Sequence, residues 1–325
     1  MRRAFLVLVL ASAGAIQAAE SDWLRRAAQA DAGVARQATW QIEVFPTATA
    51  TTSRVHLATD GQGRTRREHL SGPSEGLVVI ADGASEWRRE AGSEVWRKAD
   101  GSGHGEMGLA GDDLTRIGAN YTCAASRAGA LLGRAAVLLV LKARHGGNPS
   151  RRLWLDAENG LLLRAEVYNR EGQLVTRSVC QDLALGAPDA ARLRVPEGAR
   201  RDESRPFGSL VRCASLAELA RKVGGEVEQP SRLPAGYALH EVFGRVCQRG
   251  YQPVLTWSDG LNTLTAFRRG PGAGRGRGRG QCGRCVVESS RLQVVVTVST
   301  ESGQWVVVGD LERAQLEKMA QSLAG

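Results

Sequence analysis

Trp40, Ile42 and Val44 alternate with Gln41 and Glu43. This period of two places apolar side chains on one face of a strand and polar ones on the other. Leu163, Ala165 and Val167 alternate in the same way with Arg164, Glu166 and Tyr168. Further strands are predicted at 55–57, 66–70 and 77–80, separated by turn signals at Asp60-Gly61, Gly72-Pro73 and Asp82-Gly83. The segment SEWRREAGSEVWRKADG predicts a hairpin, and Gly101 to Gly111 a glycine-rich loop. Strands resume at 121–124 and 134–143. Residues 152–185 then predict three more, joined at Asn159-Gly160 and Glu171-Gly172. One-sided alternation on this scale is that of a large antiparallel sheet with one covered face.

Helical periodicity is confined to three places. One amphipathic helix is predicted around Asp22 to Arg36. A second opens at Ser215, where Glu218 completes a capping box. A third follows Asp310, with Leu316, Met319, Ala320 and Leu323 on one stripe. Residues 186–207 are rich in Pro, Ala, Arg and acids and read as a linker. Beyond them, strands are predicted at 238–247, 253–257, 263–268, 286–288, 292–299 and 304–308.

Composition changes this picture first at the N-terminus. Arg2 and Arg3 precede an apolar run from Phe5 to Ile16, and Ala18 and Ala19 follow. That is the shape of a secretory signal peptide, too short to span a bilayer. Removing residues 1–19 leaves an exported, soluble chain in a compartment that permits disulfides. The formal charge of +9 falls to +7 without Arg2 and Arg3, and the excess favours anionic partners. About 305 of the 325 residues remain, enough for two domains.

Patterns that mimic catalysis lack the context catalysis needs. Gly72-Pro-Ser74-Glu-Gly76 fits G-x-S-x-G, but a nucleophile elbow joins a strand to a helix, and strands flank this one on both sides. Gly103-x-Gly105-x-x-Gly108 has no strand–helix setting for a dinucleotide. The five His are scattered singly. No enzyme activity, cofactor or metal is expected.

Several segments carry a family resemblance. SRVHLATDGQGRTRREHLSGPSEGLVVIADG, LLGRAAVLLVLKAR and RLWLDAENGLLLRAEVYNREGQLV resemble the N-terminal part of the periplasmic sigma-E regulators of the MucB/RseB family. LPAGYAL, LTWSDGLNTLTAF and VVVGDLERAQLEKMAQSL resemble that family's C-terminal domain. The resemblance implies a mainly β, α+β chain. Residues 20–185 would form a half-open antiparallel β-barrel similar to LolA and LolB, plugged by helices. Residues 208–325 would form a smaller α/β domain. It implies a negative regulator that binds the periplasmic segment of a membrane-anchored anti-sigma factor and senses an acyl-chain amphiphile or lipoprotein. The alternative is a periplasmic lipoprotein or lipid carrier of the LolA type.

On this reading the apolar face of the first sheet binds the amphiphile, with Trp40, Ile42, Leu57 and Trp154 as lining residues. The hairpin around Asp259-Gly260 meets the protein partner through Trp257, Asp259, Leu264 and Phe267. The stretch GPGAGRGRGRGQCGRC (270–285) would suggest nucleic acid or zinc in a cytosolic protein. Export excludes cytosolic RNA, and one Cys-x-x-Cys is half a zinc site. Strands meandering in chain order bring Cys247 near Cys282 and Cys285. A disulfide from Cys247 to one of them is therefore expected, stapling the loop and leaving its arginines in solvent. The internal Cys282–Cys285 bridge is the runner-up.

Overall fold

The computed structural model describes residues 22–46, 49–82, 85–99, 111–204, 209–248, 250–269, 285–290, 292–300 and 303–323. The predicted signal peptide, residues 101–110 and the Arg-Gly loop with Cys282 lie outside them. The chain is mainly β and forms two sheets.

Helix α1 (22–33) precedes the first sheet. The strands are β1 (Arg36–Val44), β2 (Thr51–Thr59), β3 (Thr65–Ser71), β4 (Val78–Ala81), β5 (Glu86–Arg89) and β6 (Val95–Ala99). Helix α2 (Gly111–Asn120) intervenes. Then come β7 (Tyr121–Leu131), β8 (Arg134–Ala143), β9 (Ser150–Asp156), β10 (Leu162–Tyr168), β11 (Leu174–Leu185) and β12 (Arg200–Asp202). Their order is β12-β6-β5-β4-β3-β2-β1-β11-β10-β9-β8-β7, so among the described residues the sheet has two edges and does not close. Every pairing is antiparallel except that of β12 with β6. One face is covered by helices: Leu24 and Ala27 of α1 and Ile117 of α2 share a core with Trp40, Leu139, Leu141, Leu153 and Leu155. Helix α2 escapes the strand pattern because it is short and carries few apolar positions, Leu114 and Ile117 chief among them.

Within the described part of the predicted linker, residues 186–204, the chain is anchored to the first sheet. Val195 is buried with Ile80, Trp87 and Trp96 on the other face of the sheet, and Arg66 Nη1 donates to the carbonyl of Arg192 at 3.3 Å. Two apolar residues, Leu193 and Val195, anchor a segment whose average composition is polar.

The second sheet has the order β13-β14-β15-β16-β19-β18-β17. Its strands are β13 (Leu210–Cys213), β14 (Ala238–Cys247), β15 (Gly250–Ser258), β16 (Thr263–Arg269), β17 (Cys285–Ser289), β18 (Val294–Thr300) and β19 (Gly303–Gly309). Helices α3 (Leu216–Val223) and α4 (Arg313–Gln321) pack on it. Ser215 caps α3 by accepting from the N–H of Glu218, and Glu218 accepts from the N–H of Ala214. The whole predicted stripe of Leu316, Met319, Ala320 and Leu323 is buried.

This order corrects the expected disulfide. Strand β16 is followed in space by β19, not β17, so β17 forms the far edge, five strands from β14. At about 4.8 Å per strand that is roughly 24 Å, against a Cα separation below about 7 Å for a bridge. Cys247 and Cys285 are not partners. The Cys247 thiol is free and donates to the carbonyl of Gly250 at 3.3 Å.

Candidate functional site: the junction between the two sheets

The β15–β16 turn does not project into solvent. Asp259 is wholly buried, and Leu261 belongs to the core of the first sheet, beside Ile117 and Tyr121. The turn folds this way because Asp259 satisfies it from within. Its Oδ1 accepts the N–H groups of Leu261 (2.9 Å) and Asn262 (2.8 Å). Gly260 sits at φ +105°, where a Cβ would lie 2.8 Å from the backbone nitrogen of Ile117 and 2.9 Å from the carbonyl oxygen of Asp113. Only glycine fits between the turn and α2.

The first sheet supplies the socket. Tyr121 donates to Asp259 Oδ2 at 2.6 Å, Asn148 Nδ2 to the same oxygen at 3.3 Å, and Asn262 Nδ2 at 3.2 Å. The side-chain amide of Asn120 donates to the carbonyls of Asp259 and Gly236, both at 2.9 Å. Arg151 donates to the carbonyl of Leu261 and places its positive charge beside the buried carboxylate. Burial, and then the charge of Asp259, push the Tyr121 and Tyr237 hydroxyls well above the ordinary tyrosine value. Both stay protonated, and Tyr121 stays a donor. A buried carboxylate with this many donors is stable where an unpaired one is not.

Contacts at the rim continue the junction. Arg170 Nη1 lies 2.8 Å from Asp310 Oδ1, Gln315 Nε2 donates to the carbonyl of Gly146 at 3.3 Å, and Arg116 Nη1 is 3.1 Å from His240 Nδ1.

This geometry corrects the expected partner surface. Trp257 and Leu264 are core residues of the second sheet, and Asp259 is sealed in the junction. Of the four, Phe267 alone keeps partial exposure, with the Arg245 guanidinium 5.8 Å from its ring centre. The Asp-Gly signal identified a turn but not what the turn was inserted into. An apolar Leu261 at the tip of a polar turn was the available sign. Asn120, Tyr121, Asn148 and Arg151 carried none.

The expected amphiphile-lining residues divide. Trp40, Ile42 and Leu57 share the helix-covered face, since Trp40 pairs with Val55 and Ala38 with Leu57. Trp40 is buried in the core beneath that cover, Ile42 is half-buried against it, and Leu57 is buried further along the same face. Trp154 is on the opposite face, because its neighbours Leu153 and Leu155 point into the core. Arg164 stacks over it at 4.5 Å. On that same outer face, burial would raise the Glu166 carboxyl. The Tyr168 hydroxyl (2.6 Å), Arg164 and Arg177 instead hold it below its ordinary value.

A concavity of about 630 Å³ opens between β13, β14 and the start of α3, lined by Arg212, Cys213, Ser215, Leu239, His240 and Glu241. Arg212 and Glu241 already pair across it at 2.9 Å. Among the described residues no cluster of three or more His, Cys, Asp or Glu could hold a metal, and no helix is long and apolar enough to cross a membrane. The Gly72–Gly76 segment is the β3–β4 turn, closed by Gly76 N–H donating to the His69 carbonyl at 2.8 Å.

Residues 19–199 match the family described as the MucB/RseB N-terminal domain. The chain is 29% identical over 342 residues to the sigma factor AlgU regulatory protein MucB of Pseudomonas aeruginosa, covering 99% of this chain and 98% of that protein. A crystal structure of MucB shares the fold, with a TM-score of 0.58 and 21% identity, covering 94% of this chain and 97% of that one. So does MucB in complex with MucA(peri), with a TM-score of 0.54 and 24% identity, covering 93% and 97%.

Proposed function

Because the chain belongs to the MucB/RseB family, we propose that it is an exported negative regulator of envelope-stress sigma-factor signalling that binds the periplasmic segment of a membrane-anchored anti-sigma factor. One observation carries this reading. The likeness to a sigma factor regulatory protein runs through 99% of this chain and 98% of the relative, across both sheets and the junction between them. The protein acts by binding rather than by chemistry. Its second input is an acyl-chain amphiphile or lipoprotein that enters under α1 and α2. In support, helices rather than a second sheet cover the apolar face that holds Trp40, and a helix can swing away without breaking a strand ladder.

Titration of the exported chain with the purified periplasmic segment of the anti-sigma factor from the same organism tests the first half. Saturable 1:1 binding is expected, and absence of binding refutes it. A fluorescent acyl-chain probe tests the second. Uptake should rise when Leu24 and Ala27, the α1 residues in the core, are replaced by Asp, and no saturable uptake in either form removes the lipid input.

A further inference from the structure

We propose that β7 is the strand to which the partner segment adds, and that the added stretch is extended and acidic, with apolar side chains at alternate positions. The inference rests on the functional reading above and names where and how that partner binds.

Four strands end the two sheets. Three are short: β12 has 3 residues, β13 has 4 and β17 has 5. Short edges are one way proteins avoid unwanted pairing. The fourth, β7, has 11 residues and no proline, and one charge, Arg127, interrupts it. Among the described residues, its outer row of backbone N–H and C=O groups has no neighbouring strand. Thr122, Ala124, Ser126 and Arg127 are exposed, and Cys123 and Ala125, which face the core, are only half-buried. Leu141 and Leu139, their partners on β8, are fully buried, so the open apolar surface is that of Cys123 and Ala125 themselves, which another strand about 4.8 Å further out would cover. Backbone pairing would supply affinity there and alternate side chains specificity.

Charge selects the occupant. Residues 121–144 contain Arg127, Arg134, Lys142 and Arg144 and no Asp or Glu. Arg134 is engaged by Asp156 and Glu158. Arg127, Lys142 and Arg144 are exposed and make no ion pair among the described residues. A second copy of β7 would bring the same positive charge to the edge and be repelled. An acidic peptide would be drawn in.

The test uses the full exported chain and the purified periplasmic segment of the anti-sigma factor. Affinity is measured by calorimetry at two salt concentrations, and amide exchange is followed residue by residue. Complex formation should slow exchange at alternate residues between 122 and 128, those whose N–H groups point outward. The double variant Arg127→Glu/Lys142→Glu should bind at least about tenfold more weakly and lose most of the salt dependence, whereas Arg200→Glu on β12 should bind like the parent. Normal affinity in the double variant with no protection along β7 overturns the edge assignment and leaves the functional reading standing. No binding by the parent chain overturns that reading, and the assignment with it.

Discussion

The two sheets cover their apolar faces in different ways. Every core residue of the seven-stranded sheet comes from positions 213–323, and its own helices α3 and α4 complete the layer. The helix-covered core of the twelve-stranded sheet draws on residues 24–183 and on one from the other unit, Leu261. The smaller unit is closed, while the larger one is finished by a turn its neighbour inserts. The contrast assigns the junction a structural role. The Asp259–Asn262 turn is part of the larger unit's interior, held by Tyr121, Asn120, Asn148 and Arg151.

Separating the units should expose the asymmetry most. Without residues 208–325, the first sheet loses Leu261 and leaves Tyr121 and Asn120 without their Asp259 partners. A loss on the order of 6 kcal/mol would lower its midpoint by roughly 15 °C. Residues 208–325 alone should keep a cooperative melt. Scanning calorimetry of both fragments checks this, and equal losses in the two would break the comparison.

Point substitutions sharpen it. Asp259→Ala strands several buried donors and the Arg151 charge and should cost about 3–5 kcal/mol in denaturant titration. Leu261→Ala should cost about 2–3 kcal/mol, since the site lies beside α2, which can relax inward.

The smallest effect is at the rim. Burial lifts the Asp310 carboxyl above its ordinary value, although Arg170 opposes the shift. A raised folded value means the native chain holds this proton more tightly than the unfolded chain. The contribution is therefore full below the unfolded value of 3.8 and is lost as pH rises through the folded one. Asp310→Asn should flatten the decline of stability over that acid range, and urea midpoints across pH measure it.

Much of this architecture is legible in the sequence, because exposed and buried positions alternate faithfully. Strands β8, β10 and β14, the cap at Ser215 and the α4 stripe follow from local pattern. The parts that depend on what meets what are not. Asp259-Gly260 has the composition of a solvent-facing hairpin, and only its setting under α2 turns it into a buried latch. Period-two alternation places Trp154 in a strand without saying which face is inward; Leu153 and Leu155 decide that. Chain order suggests β17 beside β16, but strand pairing is not bound to chain order, and this removes the Cys247–Cys285 alternative; Cys282 lies outside the described residues.

The claim that the larger unit is completed by the Asp259–Asn262 turn is tested most directly by calorimetry of the full chain beside its Asp259→Ala/Leu261→Ala double variant. The parent should unfold in one transition, because neither sheet can open at the junction without exposing the other's contacts. In the variant the transition should split, the first sheet melting early and the second near its parental temperature. Two transitions already present in the parent, unchanged by the double substitution, would contradict the account.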